Sequence, residues 1–349
     1  MANEVLFAGG RLDSLRATGA PTEQTTANTY YTAYSDCAVR LLSTDLVIAD
    51  FYTVASGVLS PTTVVSAETC WVHFVWGATA TAAFERTDPS LNLIELRDSS
   101  GFPWLAIRTD ATNRQFGLYY NSGSGASPTW TLLGSTWIMP TVPASPTQVD
   151  IMLTLGSPHS VQLSLRNSQV YSGTFTQASL TNLASAAFRG TVSVASYYIT
   201  FLSQILCTRG ISTIGSLVKT MRPTGAGANT AWAGAYTDVN EVVGSDATVN
   251  SSGTAAQKQS YAMTDVTVPT GFVVKGLFHW MRGKNDGAAP TNIKSLLRSG
   301  GVDYSSANVY GIGLSYGPIG LFYATDPATS AAWIQAGLDA LEVGYESAA

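Results

Sequence analysis

Short runs in which hydrophobic and polar residues alternate recur along most of the chain. In VQLSLR (161–166), apolar residues occupy every second position and Gln, Ser and Arg fill the others. Because side chains of a β-strand point alternately to the two faces of a sheet, this pattern predicts a strand with one buried and one solvated face. Similar short segments, rich in β-branched and aromatic residues, are CWVHFVW (70–76), LNLIELRD (91–98), WLAIRTD (104–110), QFGLYYN (115–121) and VDIMLTLG (149–156).

Turn-forming residues separate these segments. The stretches 98–101, 121–125 and 156–158 are built from Asp, Asn, Ser, Gly and Pro, the residue types that favour tight turns. Regular short strands between such turns are typical of antiparallel sandwiches. We therefore predict an all-β chain made of jelly-roll-like antiparallel β-sandwiches.

A domain boundary is predicted near Gly210. The apolar segment 197–207 has the features of a last strand, and a cluster of Pro and Gly follows at 223–227. Strand patterns resume near Trp232. We assign residues 1–209 to a first sandwich domain and residues 210–349 to a second.

The final segment, 326–349, predicts a short helix before a last strand. Asp326 and Pro327 form a turn signal, and Thr329 or Ser330 is a candidate helix cap. Apolar residues at 334, 338 and 341 then follow a helical period, and alternation over 341–346 indicates a strand. Trp333 is predicted to be a structural anchor that packs this helix against the second sandwich.

Composition identifies a globular protein with a neutral surface. The 349 residues are 45% hydrophobic, with 16 Tyr, 12 Phe and 8 Trp, so the chain is not of a disordered type. Charged residues make up only 12%, about half the usual share. Large neutral areas favour contact with other copies, so we expect a homo-oligomer, and a trimer if the protein is a fibre.

Charge and hydropathy argue against two classes of partner. With a net charge of −5 and a pI of about 5.2, the chain lacks the clustered Lys and Arg that nucleic acids and anionic lipids attract. The start MANEVLFAGG has Glu4 where a basic leader segment is expected, and the apolar runs are only strand-length. We expect a soluble protein made in a cytoplasm, without membrane insertion.

Catalytic and metal-binding patterns are weak. The three cysteines, Cys37, Cys70 and Cys207, lack a metal-binding or disulfide spacing and are expected to be free thiols. The segment 313–317 matches the nucleophile pattern G-x-S-x-G around Ser315, yet no histidine follows it. The three histidines also form no metal-binding motif. We expect no metal, no cofactor and no catalytic residue.

Glycan chemistry is the strongest alternative function. A sandwich glycosidase needs two nearby carboxylates, but Glu95 shares a predicted strand face with Arg97 whereas Asp98 lies on the other. The expected role of Glu95 and Arg97 is a solvated strand face or a cross-strand ion pair.

Three groups of aromatic residues are candidates for a sugar-binding surface. Tyr119 and Tyr120 with Trp130 are the first, and the others are Tyr30, Tyr31 and Tyr34, and Tyr197 with Tyr198. Adjacent tyrosines on a strand also suit a core or subunit contact, with one ring on each face, and we favour that interpretation.

Three phrases of the sequence resemble virion structural proteins of tailed bacteriophages: LFAGGRLDSL (6–15), TGAGANTAWAGAYTDVNEV (224–242) and DPATSAAWIQAGLDALEVGYES (326–347). The region 65–207, most visibly 149–175, resembles the concanavalin-A-like lectin or laminin-G sandwich. The resemblance implies a tail-fibre, tail-associated or head-decoration subunit that contacts copies of itself and other virion proteins. Such a subunit is assembled in the host bacterial cytoplasm and resides on the virion. A glycan-binding or glycan-cleaving adhesin for a host surface glycan is the alternative.

Overall fold

The chain folds almost entirely as antiparallel β-structure in the computed structural model, which confirms the predicted all-β class. By their contacts, the residues divide into two compact units, 1–53 with 61–218 and 54–60 with 219–349. The first unit thus runs nine residues beyond the boundary suggested by the sequence, to Val218. The structure describes residues 4–9, 14–19, 21–25, 37–41, 45–55, 58–78, 92–109, 115–138, 146–190, 200–241, 245–307 and 309–349.

Nineteen strands are described up to residue 209. They are β1 (Glu4–Gly9), β2 (Arg16–Thr18), β3 (Thr22–Thr25), β4 (Cys37–Leu41), β5 (Leu46–Asp50), β6 (Tyr52–Ala55), β7 (Val58–Pro61), β8 (Val64–Val65), β9 (Thr69–Ala78), β10 (Asn92–Arg97), β11 (Pro103–Thr109), β12 (Gln115–Asn121), β13 (Trp130–Ile138), β14 (Thr147–Thr154), β15 (His159–Leu165), β16 (Ser168–Phe175), β17 (Asn182–Leu183), β18 (Ser185–Arg189) and β19 (Thr200–Arg209).

Two large sheets build the first unit. The eight-stranded sheet has the order β16-β15-β14-β9-β19-β4-β3, with β1 also paired to β19. The seven-stranded sheet has the order β13-β12-β11-β10-β18-β5-β2. The sheets pack face to face, since Phe74 meets Phe188 with ring centres 5.2 Å apart and Trp76 meets Phe116 at 5.4 Å. Aromatic pairs between the two inner faces therefore form the core of this sandwich.

The described part of the second unit contains one larger sheet, a two-stranded ribbon, a 3-10 turn at Tyr236–Asp238 and a short α-helix, together with the residues of the β6–β7 pair that lie within 54–60. The larger sheet has the order β20-β21-β27-β23-β24, with β25 also paired to β23, and the ribbon pairs β22 with β26. Its elements are β20 (Pro223–Thr230), β21 (Lys258–Met263), β22 (Leu277–Gly283), β23 (Asn292–Ser299), β24 (Val302–Ser305), β25 (Tyr310–Gly311), β26 (Gly317–Tyr323), α1 (Gln335–Asp339) and β27 (Glu342–Ala348).

The C-terminal segment ends in a central strand of the second unit. Strand β27 lies between β21 and β23, and α1 directly precedes it, as the sequence predicts. Trp333 is 3% exposed, packs with Leu338 and Leu341, and donates a hydrogen bond from Nε1 to the Tyr323 carbonyl at 3.1 Å. The helix is shorter than the sequence predicts, because it begins only at Gln335. Ile334 precedes that helix and is 65% exposed.

Two of the three cysteines lie in the core of the first unit. Cys70 on β9 and Cys207 on β19 are buried and form no disulfide. Burial raises the pKa of the Cys70 thiol to about 12. The side chain of Cys37 lies outside the described residues.

Candidate functional site

The outer face of the seven-stranded sheet is the candidate site. Phe188 contacts the opposite sheet, so the residues in register with it, Ile94 and Ile107, belong to the inner face. The alternate residues form the outer face, where one cross-strand row joins Tyr119 to Ala106 and Ala106 to Glu95. The period of two thus places Tyr119 and Glu95 on the same face of the sheet, where Glu95 and Ala106 are buried and Tyr119 is half-buried.

Glu95 is the buried centre of a charged cluster on this face. Its side chain is 3% exposed, and Arg97 Nε donates to Oε2 at 2.7 Å. Asn92 Nδ2 donates to Oε1 at 2.7 Å, and Arg189 Nε lies 3.4 Å from the same oxygen. The cluster therefore consists of one carboxylate and two guanidinium groups, with an amide beside them.

This arrangement corrects the expectation of a solvated strand face. Glu95 has small cross-strand neighbours on both sides, Ala106 and Ala187, which leave room for Arg97 and Arg189 to cover it. The closest pairing also joins Glu95 to Arg97 two residues along the same strand, and Arg189 adds the cross-strand contact from β18. Glu95 consequently orients two arginines.

Arg108 joins two of the aromatic residues singled out in the sequence. Its guanidinium carbon lies 4.9 Å from the Trp130 ring centre and 5.4 Å from the Tyr119 ring centre. Both rings are half-buried, and Leu132 beside Tyr119 is 37% exposed. Cation–π contact at these distances holds the charge and the rings together. We call Arg108, Tyr119 and Trp130 the aromatic–arginine cluster.

Tyr120 is not part of this cluster. It pairs with Leu105 on the inner face, and its ring stacks on Phe175 with ring centres 4.7 Å apart. Adjacent tyrosines on one strand therefore divide between the two faces, so Tyr119 and Trp130 share a surface without Tyr120. Tyr30, Tyr31, Tyr34, Tyr197 and Tyr198 lie outside the described residues.

The loop before Trp130 is closed by one buried side chain, Asn121. Its Oδ1 accepts hydrogen bonds from the backbone N–H groups of Gly123 at 2.9 Å and Thr129 at 3.0 Å. Its Nδ2 donates to the Ser124 carbonyl at 2.9 Å, and Gln177 Nε2 donates to the Asn121 carbonyl at 2.7 Å. This loop therefore presents Trp130 in a preorganised position, which lowers the entropic cost of binding a ligand.

Two further acidic residues that the structure describes near this face are engaged in local structure. Asp98 Oδ1 accepts from the N–H groups of Ser100 and Phe102, both at 2.9 Å, and its Oδ2 accepts from Trp104 Nε1 at 2.8 Å. Asp50 accepts from two nitrogens of Arg16, at 2.8 and 3.0 Å. These carboxylates stabilise a turn and a strand pair, and neither has the arrangement of a glycosidase acid and its partner.

Of the remaining sequence candidates, Ser315 lacks the setting of a nucleophile and the three histidines have structural partners. Ser315 precedes strand β26, so no helix follows it as a nucleophile turn requires. His73 pairs with Asp150, and His159 Nδ1 accepts from the Gly156 N–H at 3.1 Å. His279 Nδ1 lies 2.6 Å from Ser295 Oγ, and burial lowers its pKa to about 4.

Two further features are absent from the residues that the structure describes. In that part of the chain, no group of three or more His, Cys, Asp or Glu side chains has a metal-binding arrangement. Its helices also include none that is long and apolar enough to cross a membrane.

Comparisons with known proteins find similarity at the level of structure. No family model and no curated protein sequence matches the chain. A botulinum neurotoxin C/D receptor-binding domain is 9% identical with a TM-score of 0.37, over 55% of this chain and 41% of that one. The globular domain of T. cruzi calreticulin is 10% identical with a TM-score of 0.38, over 58% and 87%.

An endo-β-1,4-glucuronan lyase from the fungus Trichoderma reesei is 13% identical with a TM-score of 0.39, over 59% of this chain and 94% of that one. The chain therefore spans less than half of the neurotoxin domain and most of the other two. The similarity is one of fold alone and carries no statement about ligand or activity.

Proposed function

We propose that this protein binds carbohydrate through the outer face of its seven-stranded sheet and that it serves as a subunit of a tailed-phage particle. The observation that carries the binding proposal is the aromatic–arginine cluster, in which Arg108 lies over both Tyr119 and Trp130. Half-buried rings on this sheet face suit an adhesin, whose binding surface needs aromatic residues outside the core.

The chemistry of the face suits a sugar ring. Flat apolar rings complement the C–H face of a pyranose, and Tyr119 and Trp130 both present such surfaces. Guanidinium groups donate hydrogen bonds to hydroxyl or carboxylate oxygens around the ring edge, and Arg97 and Arg189 lie on the same face. A few polar groups beside an apolar platform are typical of small-ligand sites.

Binding without cleavage is the form of the proposal that the residues support. Glu95 is engaged by Arg97 and Arg189, while Asp50 is engaged by Arg16. A general acid needs a proton-bearing group that faces the glycosidic oxygen, and these carboxylates face guanidinium groups. The proposal therefore assigns this sheet face no catalytic residue.

The phage assignment is supported by sequence phrases at 6–15, 224–242 and 326–347 and by the low charge content. On this proposal the chain is a tail-fibre, tail-associated or head-decoration subunit that contacts copies of itself and other virion proteins. Images of the intact particle with this chain located in it test the assignment. Light scattering at micromolar concentration tests self-association, for which a trimer is the expected state and a strict monomer the contrary result.

A purely structural subunit is the second candidate, because half-buried rings also suit a contact between subunits. A glycan array probed with the wild-type chain and with Tyr119→Ala and Trp130→Ala separates the two. The matched control is Tyr316→Ala in the second unit, where Lys284 Nζ lies 4.8 Å and the Arg282 guanidinium carbon 5.5 Å from the tyrosine ring centre. Binding lost in the first two variants and kept in the control supports carbohydrate recognition, whereas no binding by the wild type supports the structural subunit.

A further inference from the structure

The strands of the seven-stranded sheet carry an excess of positive charge, although the chain as a whole is acidic. Its strands contain four arginines, two acidic residues and no lysine, which gives a net charge of +2; the residues are Arg16, Asp50, Glu95, Arg97, Arg108 and Arg189. The eight-stranded sheet contains two arginines against three acidic residues, a net charge of −1; these are Glu4, Glu23, Arg40, Asp150 and Arg209. The whole chain has a net charge of −5.

We infer that the ligand of this face is an acidic glycan whose sugars carry carboxylate groups, an inference that rests on the proposed carbohydrate binding. One arginine of this excess, Arg108, is in contact with both Tyr119 and Trp130. Arg97 on β10 and Arg189 on β18 lie on the same sheet face, two and three strands away from β12. A neutral sugar makes no use of such an excess, whereas a sugar carboxylate pairs with it directly.

The donors that would meet the ligand carboxylate come from Arg189. A guanidinium group has five N–H donors. Arg97 directs two nitrogens at Glu95, whereas the ion pair of Arg189 with Glu95 runs through Nε at 3.4 Å. The Arg189 side chain is also 37% exposed, against 11% for Arg97. Within the part of the chain that the structure describes, Arg189 therefore keeps terminal nitrogens for a second, incoming carboxylate.

Glu95 contributes to this site by holding the arginines in place. Arg97 and Arg189 approach its two oxygens from the same strand and from the neighbouring strand β18, which fixes the positions of both guanidinium groups. A planar guanidinium held in this way pairs bidentately with a carboxylate, a geometry that lysine does not reproduce. A glycan chain that stacks on Tyr119 and Trp130 and extends across the sheet to Arg189, three strands away, thus pairs with that guanidinium through a sugar carboxylate.

The experiment compares two hexasaccharides that differ only in the carboxylate. A hexamer of β-1,4-linked glucuronic acid and the glucose hexamer of the same linkage are titrated into the full chain at low and high salt. A charge-assisted hydrogen bond predicts about tenfold tighter binding of the acidic hexamer, with a preference that falls at high salt.

Arg189→Gln is expected to remove this preference by weakening the acidic hexamer much more than the glucose hexamer, so that the two Kd values become equal, and Arg189→Lys is expected to restore only part of it. Arg282→Gln in the second unit, which loses the Asp246 ion pair, is the matched control and is expected to keep the preference. Equal or tighter binding of the glucose hexamer overturns the inference and leaves carbohydrate binding standing. If the wild type binds neither hexamer and no glycan on the array, both proposals fail.

Discussion

His73 and Asp150 share a hydrogen bond of 2.9 Å between Nδ1 and Oδ1, with both side chains completely buried. They lie opposite each other on β9 and β14, on the outer face of the eight-stranded sheet. Thr213, from the segment after β19, donates to the same carboxylate oxygen at 2.7 Å. The hydrogen bond from Thr213 to Asp150 thus holds the 211–218 segment against this sheet face.

Replacing either Thr213 or Asp150 in this hydrogen-bond network is expected to lower the free energy of unfolding of the first unit. Thr213→Val deletes one donor to a buried carboxylate and should cost about 1–3 kcal/mol, and Asp150→Ala should cost about 3–5 kcal/mol. Chemical denaturation measures both. Thr174→Val on the edge strand β16 is the control, because Thr174 is exposed and its replacement should change stability by less than about 0.5 kcal/mol. Equal stability of Asp150→Ala and the wild type would contradict this role.

Trp333 is expected to be essential to the second unit. It is 3% exposed and packs with Leu338, Leu341 and Leu297, so Trp333→Ala should cost about 3–5 kcal/mol. Ile334→Ala is the matched control, because Ile334 is the next residue and is 65% exposed. Thermal unfolding followed for each unit should show a lower transition for Trp333→Ala only.

Deleting residues 326–349 is a harsher test of the same segment. Strand β27 lies between β21 and β23, so its removal leaves two unpaired strand edges and an open core, a condition that favours aggregation. The strands of the first unit all lie before the deletion, and that unit should retain its own unfolding transition. A soluble truncated chain with an unchanged second transition would show that the segment does not stabilise this unit.

Much of this architecture follows from local patterns. The period of two predicts that Tyr119 and Tyr120 face opposite ways, and the helical spacing of Leu338 and Leu341 predicts the helix before β27. The sequence alone could not show which side chains on this sheet face contact one another across neighbouring strands. Trp130 approaches Arg108 because β11, β12 and β13 pair in order, a register that depends on turns and loop lengths.

The burial of Glu95 also could not be predicted from the local sequence, because it depends on long-range strand pairing. A glutamate beside an arginine in an alternating strand usually faces water. Here the long-range pairing of β10 with β18 places Ala187 and Arg189 next to it, and these partners are far away in the sequence. Only the tertiary arrangement converts an ordinary strand position into the centre of a charged cluster.

Thiol reactivity should distinguish the cysteines. Cys70 and Cys207 are buried, and burial raises the pKa of both thiols, so neither should react with Ellman's reagent at pH 8 in the native state. Native protein should therefore release at most one equivalent of thiol, from Cys37. Unfolding in guanidinium without a reductant should release three. A total of one after unfolding would instead reveal a disulfide.

Mild acid should destabilise the second unit through His279. Its pKa is lowered from 6.5 to about 4 by burial, so between these values the unfolded chain binds more protons than the folded one. The contribution of the neutral imidazole is intact above pH 6.5 and is lost as the pH falls toward 4, by up to about 3 kcal/mol. Denaturant titrations at pH 7 and pH 4.5 measure the loss. His279→Gln should show a smaller loss between the same pH values, and an equal loss in both proteins would exclude His279 as its source.

The most direct test of carbohydrate binding is a calorimetric titration of the best array glycan into wild-type protein, Trp130→Ala and Trp130→Phe. The alanine variant loses one of the two rings that Arg108 contacts, whereas phenylalanine keeps a flat apolar surface. We predict that Trp130→Ala weakens binding by about 2 kcal/mol or more, roughly thirtyfold in Kd, and that Trp130→Phe recovers part of the loss. Unchanged affinity in Trp130→Ala, with the protein folded as judged by its unfolding transition, would contradict the assignment of this sheet face as the binding site.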